Sequence, residues 1–479
     1  MIRSILLLNA IFGALALLGP NRGLFAQTVT ISSEINIEDE VEYEVLGKFR
    51  RQLYLLEAGS SDVAFRIFDE NLAQQETVFI PLESKKSRLI RVIASKDQIH
   101  VLYTIVSEDS LKIKAIHLDD ALNVIDTVTY WSQAKDIKLP YFKADYSEDK
   151  SKVLLHAIKG PAKLLFIALD LKDRSVLWEK EINFEKAEFL DVFRKMLISN
   201  QGQMFLTLEK SNTFSEKSEH SFEILTMSKS RGLETISIPA PQFLSADIQI
   251  KMDDLNGQMT AFGLGYTQDA REINGVFHIK VPFQYNDHYT LTNIPFDQEM
   301  LADYYGKELN KANYLEDIKI HTLLIRQDGG IVFFLEQQRE MARQSYQVRR
   351  DFYNGARFSV DYYYDNLVSM GISAGGEVEF QKVLHKKQYS HDDDALFSSI
   401  FTMVTPRYVR ILFNDDIRNE STVSEYLMNG KGSIERKNVM STEKQKLRLQ
   451  IKNATQLAYN EIVIPSIRNN KLKLVRVVY

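Results

Sequence analysis

One layout recurs along this chain and limits the folds available to it. In five segments a strand-like run ends at a short polar turn and a second strand-like run follows. The turns begin at Asp69, Asp119, Asp170, Ser228 and Ser373. Asp and Ser suit this position because their side chains accept hydrogen bonds from backbone N–H groups two residues further on. The first four turns recur about every 50 residues, which is typical of a repeat architecture.

An apolar strand that follows a polar turn marks the same units a second time. These strands begin near residues 52, 99, 152, 203, 258, 331 and 408, which gives seven units. A repeat of about 50 residues with roughly four short strands is the signature of a β-propeller blade. We therefore predict an all-β chain that forms a single β-propeller, most simply of seven blades, with six and eight as the alternatives.

Three stretches are expected to interrupt the repeat. One short helical insertion is predicted near residues 297–318, because apolar and aromatic residues recur there at helical spacing. Further insertions are expected near 340–366 and 415–445, and insertions in such arrays usually lie on one face. The propeller would span residues 27–479, and ring closure would bring the strand near Val41–Leu46 beside the C-terminal strands.

Residues 1–26 have the layout of a secretory signal peptide. Arg3 precedes an apolar run from Ile5 to Leu18, then a Gly-Pro break, and Ala26 precedes the expected cleavage point. The run is shorter than the roughly 20 residues that span a bilayer, and no later stretch is long and apolar enough to do so. We expect an exported protein, periplasmic or extracellular, with no membrane span.

Composition excludes several classes of site. The chain has 0 cysteines, which removes disulfides, thiolate metal sites and cysteine nucleophiles. Its formal net charge is −5 at pH 7 with the two signs interspersed, which argues against a nucleic-acid partner. The nine histidines form no metal-binding motif, and the run His391–Asp394 lacks the spacing of a calcium loop. We therefore assign no metal and no cofactor.

The pattern Gly-x-Ser-x-Gly around Ser373 raises the question of a hydrolase. A nucleophile elbow needs a strand, a sharp turn that carries the serine and then a helix. Here the alternating residues 377–384 predict a strand after the turn, and Gly375 and Gly376 suit a tight hairpin. We interpret Ser373 as a turn residue and assign no catalytic residue.

The best candidate for a binding surface is the tyrosine-rich stretch before Ser373. Aromatic rings present a large contact area at low entropic cost, and they stack on sugars or peptides. The candidate ligand-binding residues are Tyr353, Tyr362, Tyr364 and Asp365. The competing interpretation is that these rings cover a seam between blades. Strand alternation places the middle ring of Tyr362–Tyr364 on the face opposite its neighbours, so at least one ring should belong to the core.

Residues 320–415 resemble a group of exported bacterial proteins of unknown activity that have propeller-like repeats. The resemblance rests on Asp328-Gly329-Gly330 before a strand and on the segment Tyr362–Asn366. It implies a propeller and no particular activity.

Three hypotheses of function remain open. The first is an exported, non-catalytic binding or protein-interaction module, a monomer whose partner is a protein or a glycan. The second is an exported hydrolase or lyase that acts on glycans or peptides, since a propeller channel can gather acids from several blades, for example Asp328, Asp365 and Asp416. The third is a structural component of a cell-envelope complex.

Overall fold

The fold is an eight-bladed β-propeller. The computed structural model describes residues 27–134, 141–160, 163–184, 189–266, 272–284, 288–306, 313–344, 358–415, 417, 422–442 and 447–479. Eight antiparallel sheets follow one another along the chain. The predicted single all-β propeller is confirmed, but the preferred number of seven blades is wrong.

Blades 1 to 4 each take four consecutive strands. Blade 1 has β3 (Glu42–Phe49), β4 (Gln52–Ala58), β5 (Asp62–Phe68) and β6 (Gln74–Pro81). Blade 2 has β7 (Ser87–Ala94), β8 (Gln98–Val106), β9 (Ser110–Asp119) and β10 (Val124–Ala134). Blade 3 has β11 (Lys143–Tyr146), β12 (Lys152–Gly160), β13 (Lys163–Asp170) and β14 (Ser175–Asn183). Blade 4 has β15 (Phe193–Ile198), β16 (Met204–Lys210), β17 (Ser221–Ser228) and β18 (Gly232–Pro239).

Blades 5 to 7 continue the pattern, and blade 6 has an additional strand. Blade 5 has β19 (Leu244–Asp253), β20 (Gln258–Tyr266), β21 (Ile273–Pro282) and β22 (Thr290–Pro295). Blade 6 has β23 (Ile318–Ile325), β24 (Ile331–Gln344), β25 (Phe358–Ile372), β26 (Val378–Leu384) and β27 (Gln388–His391). Blade 7 has β28 (Ile400–Val404), β29 (Tyr408–Asn414), β30 (Thr422–Asn429) and β31 (Ile434–Ser441).

Blade 8 is built from both ends of the described chain. It has β32 (Thr455–Ala458), β33 (Glu461–Arg468) and β34 (Lys471–Val478), and its fourth strand is β1 (Thr28–Ile31). The short strand β2 (Ile35–Asn36) also pairs with β34. The predicted closure was therefore wrong in its partner, because Glu42–Phe49 pairs with β4 inside blade 1 and Thr28–Ile31 pairs with β34.

The missing blade has a physical explanation. All seven sequence markers lie at or next to the starts of second strands, namely β4, β8, β12, β16, β20, β24 and β29. Second strands are recognisable because they are buried on both sides, and so they read as continuous apolar runs. The second strand of blade 8 is β33, which the sequence analysis assigned to ring closure and so did not count as a separate blade.

The core consists of the interfaces between neighbouring blades. Eight apolar clusters are present among the described residues, and each is formed by residues of two adjacent blades. The cluster of Ile35, Val45, Leu53, Val463 and Leu472 joins blade 8 to blade 1 and so closes the ring. First strands of adjacent blades contact one another, as β11 does with β7 and β15. These first strands surround a central channel.

The helices are few and short among the described residues. The helix α1 (Phe189–Val192) precedes blade 4, and α2 (Gln298–Tyr305) precedes blade 6. Asp297 caps α2 by accepting a hydrogen bond from the N–H of Glu299, and Met300, Leu301 and Tyr304 are buried. Two 3₁₀ helices span Phe214–Glu219 and Ile451–Asn453. Among the described residues, no helix has the length and apolar character needed to cross a bilayer. Residues 1–26, the predicted signal peptide, lie outside the described residues.

The two ends of the propeller differ. One end, which we call the turn face, carries the short turns between first and second strands and between third and fourth strands. The other end, the insertion face, carries the loops between second and third strands and the connections between blades, which include α1 and α2.

Candidate functional site

An extension of blade 6 departs from the regular blade on the described part of the insertion face. The strands β24 and β25 have 14 and 15 residues and continue past Ile318, the first residue of β23. Beyond a register shift at Glu336/Gln338 they pair from Gln338↔Tyr364 to Gln344↔Phe358, and β27 pairs with the other side of β25. We call the three-stranded unit of residues 338–344, 358–364 and 388–391 the ribbon.

The two sides of the ribbon have different environments. Directly paired residues point to the same side of a sheet. One side carries Gln338, Tyr364 and Gln388 and then Glu340, Tyr362 and Ser390, and the loop 392–399 covers it. The other side is accessible to solvent, and we call it the ribbon face. Its residues are Arg339, Met341, Arg343, Asp361, Tyr363, Tyr389 and His391.

The sequence-predicted binding residues lie mainly on the covered side. Tyr362 is buried, and its hydroxyl donates to Asp394 Oδ1 at 3.4 Å. Burial raises the pKa of Tyr364 to about 12, and the backbone oxygen of Tyr364 accepts from Lys386 Nζ at 2.8 Å. Asp365 is half-buried at the root of the ribbon. Tyr353 lies outside the described residues. The structure therefore brings Tyr362 and Tyr364 together against the protein and not against solvent.

Asp361 organises the ribbon face. Its carboxylate forms an ion pair with Arg343, accepts a 2.7 Å hydrogen bond from the Tyr389 hydroxyl and lies 3.1 Å from His391 Nδ1. The hydrogen bond from Arg343, followed by that from Tyr389, lowers the pKa of Asp361 to about 2. One almost fully buried carboxylate thus fixes three side chains that border solvent.

The rest of the ribbon face is aromatic, cationic and apolar. The Arg339 guanidinium lies 5.0 Å from the centroid of the Tyr363 ring, and that ring lies 5.2 Å from the Tyr389 ring. Arginine over a tyrosine face is a favourable cation–π arrangement. Met341, between these groups and Arg343, is 49 % exposed. The result is a flat surface on which two rings, a guanidinium and a thioether are accessible.

A buried ion pair holds the covered side in place. Lys386 Nζ lies 2.8 Å from Glu336 Oε1, and both side chains are fully buried. Ser399 Oγ donates to Glu336 Oε2 at 2.5 Å, and the Gln388 side chain accepts from Lys386 Nζ at 2.9 Å. Burial lowers the pKa of Lys386, and the charge of Glu336 opposes that shift. The group connects β24, β27 and the start of β28, so it fixes the ribbon to blades 6 and 7.

A second candidate site lies at the other end of the molecule, where the central channel opens on the turn face. The cavity there has a volume of about 1160 Å³. First-strand ends and turns of blades 3 to 8 line it, from Tyr146 in blade 3 to Tyr459 in blade 8. We call it the channel mouth.

Turn-to-turn hydrogen bonds connect three blades at the channel mouth. The Asp149 N–H donates to Asn200 Oδ1 at 3.1 Å, and the Asn200 N–H donates to Asp254 Oδ1 at 2.8 Å. Asp254 Oδ2 is buried and has no hydrogen-bond partner among the described residues. Burial raises the pKa of Asp254 to about 6.

The question raised by Ser373 is resolved by its surroundings. Ser373 lies in the turn between β25 and β26, where its Oγ accepts from the Glu377 N–H at 3.1 Å. Asp69 and Asp119 accept from backbone N–H groups in the equivalent turns of blades 1 and 2. Its interpretation as a turn residue is confirmed.

Sequence reasoning missed Arg339, Asp361, Tyr363 and Tyr389 as a group. Strand alternation already separates Tyr363 from Tyr362 and Tyr364, but it does not tell which side is covered. Tyr389 joins the ribbon face through β27, a strand of four residues with no strong pattern of its own. Among the described residues, no group of three His, Asp or Glu side chains has an arrangement that could hold a metal ion.

Comparison with known proteins adds little beyond the fold. No protein-family model matches the chain. No curated protein sequence matches it either. A solved structure described as the Dos1 propeller is 8 % identical with a TM-score of 0.43, covering 93 % of this chain and 94 % of that one.

Two further solved structures are similar at the same level. The propeller domain of the trilobed protease from Pyrococcus furiosus is 12 % identical with a TM-score of 0.37, over 84 % of this chain and 98 % of that one. The periplasmic gluconolactonase PpgL from Pseudomonas aeruginosa is 11 % identical with a TM-score of 0.36, over 84 % and 96 %. At these values the similarities carry no argument about function, and the propeller assignment rests on the eight sheets of the chain itself.

Proposed function

We propose that the protein is an exported, non-catalytic binding module that contacts a protein or glycan partner through the ribbon face. The observation that carries the proposal is the solvent-accessible array of Arg339, Met341, Tyr363 and Tyr389 held around Asp361. Aromatic residues, methionine and arginine are the residue types enriched in protein–protein interfaces, and tyrosine and arginine are enriched among their hot spots.

The ribbon face is also pre-organised. Binding costs free energy when side chains must be immobilised, about 0.5–1.5 kcal/mol for each flexible side chain. Arg343, Tyr389 and His391 are already fixed by Asp361, and Arg339 is already stacked on Tyr363. A partner that contacts this face therefore gains contact area at a reduced entropic cost.

The hydrolase or lyase alternative receives less support from the described residues. Such an enzyme needs an acid and a base that face the same substrate. Asp328 lies at the channel mouth and is paired with Arg326. Asp365 lies on β25 beside Tyr364, which pairs with Gln338, so about seven residues of β24, or about 20 Å, separate it from the turn that carries Asp328. Asp416 lies outside the described residues.

Export is the second part of the proposal and rests on residues 1–26. In the cells that naturally produce the protein, fractionation should place it outside the cytoplasm. The intact mass should correspond to a chain that begins at Gln27. A full-length mass in the cytoplasmic fraction would contradict export.

Site-specific photo-crosslinking tests the binding surface. A benzoylphenylalanine at position 363 or 389 should form adducts in those cells, and the mass of each adduct should identify a polypeptide or a glycan. The same group at position 79, where Phe79 is 73 % exposed on the outer strand of blade 1, is the matched control. Adducts at position 79 but not at 363 or 389 would contradict the proposal.

A further inference from the structure

The channel mouth has a lining that suits a ligand of a definite chemical class. Nine of its 22 lining residues are aliphatic or methionine, among them Leu197, Met252, Leu324, Val404, Val409 and Met428. Three tyrosines, Tyr146, Tyr408 and Tyr459, stand at the rim. A volume of about 1160 Å³ is slightly larger than the roughly 300–1,000 Å³ of most ligand pockets.

Apolar side chains in this cavity are exposed to solvent. Tyr459 is 66 % exposed and Val404 is 47 % exposed, and Tyr146 and Tyr408 are exposed as well. Single exposed apolar residues are common on protein surfaces, but a contiguous group in a cavity marks a binding site.

The charged residues of the lining have a net positive charge. Its cations are Lys251, Arg326 and Arg407, and its acids are Glu148 and Asp328. Arg326 is bound to Asp328 and to Glu379. Among the described residues, neither Lys251 nor Arg407 is within ion-pair distance of a carboxylate. Their ammonium and guanidinium groups come from blades 5 and 7, on either side of blade 6, so two unpaired cations flank an apolar surface.

The surroundings of Lys251 support this assignment. Its side chain is exposed to solvent, and partial desolvation by the neighbouring protein lowers its pKa. The nearby charge of Glu148 opposes the shift, and that of Lys195 adds to it. A cation in such a position gains from an anionic ligand more than a fully solvated lysine does.

We propose that the channel mouth binds an apolar or aromatic molecule that carries one anionic group, such as a carboxylate. The apolar body lies against the aliphatic lining between the rim tyrosines, and the anion lies between Lys251 and Arg407. The site is at the end of the molecule opposite the ribbon face, and the inference does not depend on the ribbon proposal.

Calorimetry on the mature chain tests the proposal with three probes that share one apolar body. Dodecanoate, dodecanol and dodecylamine differ in headgroup charge, and each is titrated below the concentration at which it forms micelles or separates from solution. Dodecanoate should bind at least about tenfold more tightly than the other two, because only its headgroup carries the charge opposite to that of Lys251 and Arg407. Equal affinity for all three probes would overturn the anionic part of the proposal, and no binding of dodecanoate would overturn the site.

Paired variants locate the binding. The change Lys251→Gln with Arg407→Gln should weaken dodecanoate about tenfold and leave dodecanol unchanged. The change Tyr408→Ala with Tyr459→Ala should weaken both probes. The matched controls, Lys382→Gln and Phe79→Ala, alter an exposed lysine on β26 and an exposed aromatic residue on β6 and should change neither affinity. Binding that survives both paired variants would place the ligand elsewhere and overturn the proposal, and thermal unfolding checks that each variant is folded.

Discussion

The turn face and the insertion face are built by different rules. On the turn face, blade after blade uses the same device, an Asp, Asn or Ser side chain that accepts backbone N–H groups, as Asp69, Asp170 and Asn429 do. On the insertion face, the described parts of the connections differ from one another, and they include α2, the ribbon and the loop 392–399. Hairpin geometry constrains a short turn tightly, whereas a connection between elements is free to lengthen.

The difference extends to how charge is held. On the insertion face, the fully buried Glu336 carboxylate has a cationic partner in Lys386, and Ser399 and Gln388 bond to the pair. On the turn face, the Asp254 carboxylate has a buried oxygen and, among the described residues, no cation within ion-pair distance. Removal of the Glu336 charge on the insertion face should therefore lower the stability of the fold, whereas removal of the Asp254 charge on the turn face should raise it.

The largest effect is expected from Glu336→Gln. This change leaves the Lys386 ammonium buried without its counter-ion, which costs on the order of 3–5 kcal/mol. Chemical denaturation at pH 7 measures the loss.

A double variant separates the charge from the packing at this pair. Glu336→Leu combined with Lys386→Met removes both charges and should recover most of the stability, because a buried ion pair replaced by apolar residues is often neutral. A single variant as stable as the parent protein would show that the pair does not anchor the ribbon.

Asp361→Ala should have the next largest effect, mainly on binding. The pKa of Asp361 is lowered in the folded state, so its contribution to stability is present above about pH 4 and is lost as the pH falls towards about 2. Removing it releases Arg343, Tyr389 and His391.

We expect a smaller loss of stability than for Glu336→Gln, together with loss of the adducts formed from position 363. Unchanged adduct yield in a folded Asp361→Ala protein would show that pre-organisation of the ribbon face is not needed.

Asp254→Asn, on the turn face, should increase the stability of the fold. The pKa of Asp254 is raised to about 6. Between about pH 4 and 6 the folded state therefore keeps a proton that the unfolded chain has released, and stability falls as the pH rises through this window.

The asparagine removes that penalty and can still accept from the Asn200 N–H. The variant should be more stable than the parent at pH 8, by at most about 1 kcal/mol because Asp254 is partly solvated, and equally stable at pH 4. Thermal unfolding of the variant and the parent at both pH values measures this difference. A variant less stable than the parent at pH 8 would contradict the expectation.

Ser373→Ala should have the smallest effect. It removes one hydrogen bond, from the Glu377 N–H, and should cost about 0.5–1 kcal/mol. Asp69→Ala is the matched comparison and should cost more, because Asp69 accepts from both Asn71 and Ala73. A much larger loss for Ser373→Ala, or the loss of any hydrolytic activity, would contradict its role as a turn residue.

The regular part of the fold could be predicted from the sequence because each blade repeats the same physical requirement. Second strands are buried on both sides, so Gln52–Ala58 and Gln258–Tyr266 both read as apolar runs. Blade 8 was not predicted as a separate blade because its fourth strand, Thr28–Ile31, comes from the far end of the sequence. A local pattern cannot show a pairing of that range.

The candidate sites were harder to predict for the same reason. The tyrosine-rich segment was predicted to be a binding surface, but the side of it that faces solvent depends on the loop 392–399, which covers Tyr362. The channel mouth combines single residues from six blades, such as Lys251 and Arg407, and each of them looks like an ordinary surface residue in its own segment. Only the closed ring brings them to one cavity.

Ring closure also fixes the order in which the molecule can be completed. Ser32 Oγ accepts from the Leu474 N–H at 2.9 Å across 442 residues of chain, and β1 adds its strand to the edge of β34. Contacts of such sequence separation form late, because the loop-closure entropy must be overcome before they contribute. A chain still bound to the ribosome therefore remains an open arc of blades until β34 has emerged. During that interval the end strands of the arc are unpaired and open to pairing with another chain.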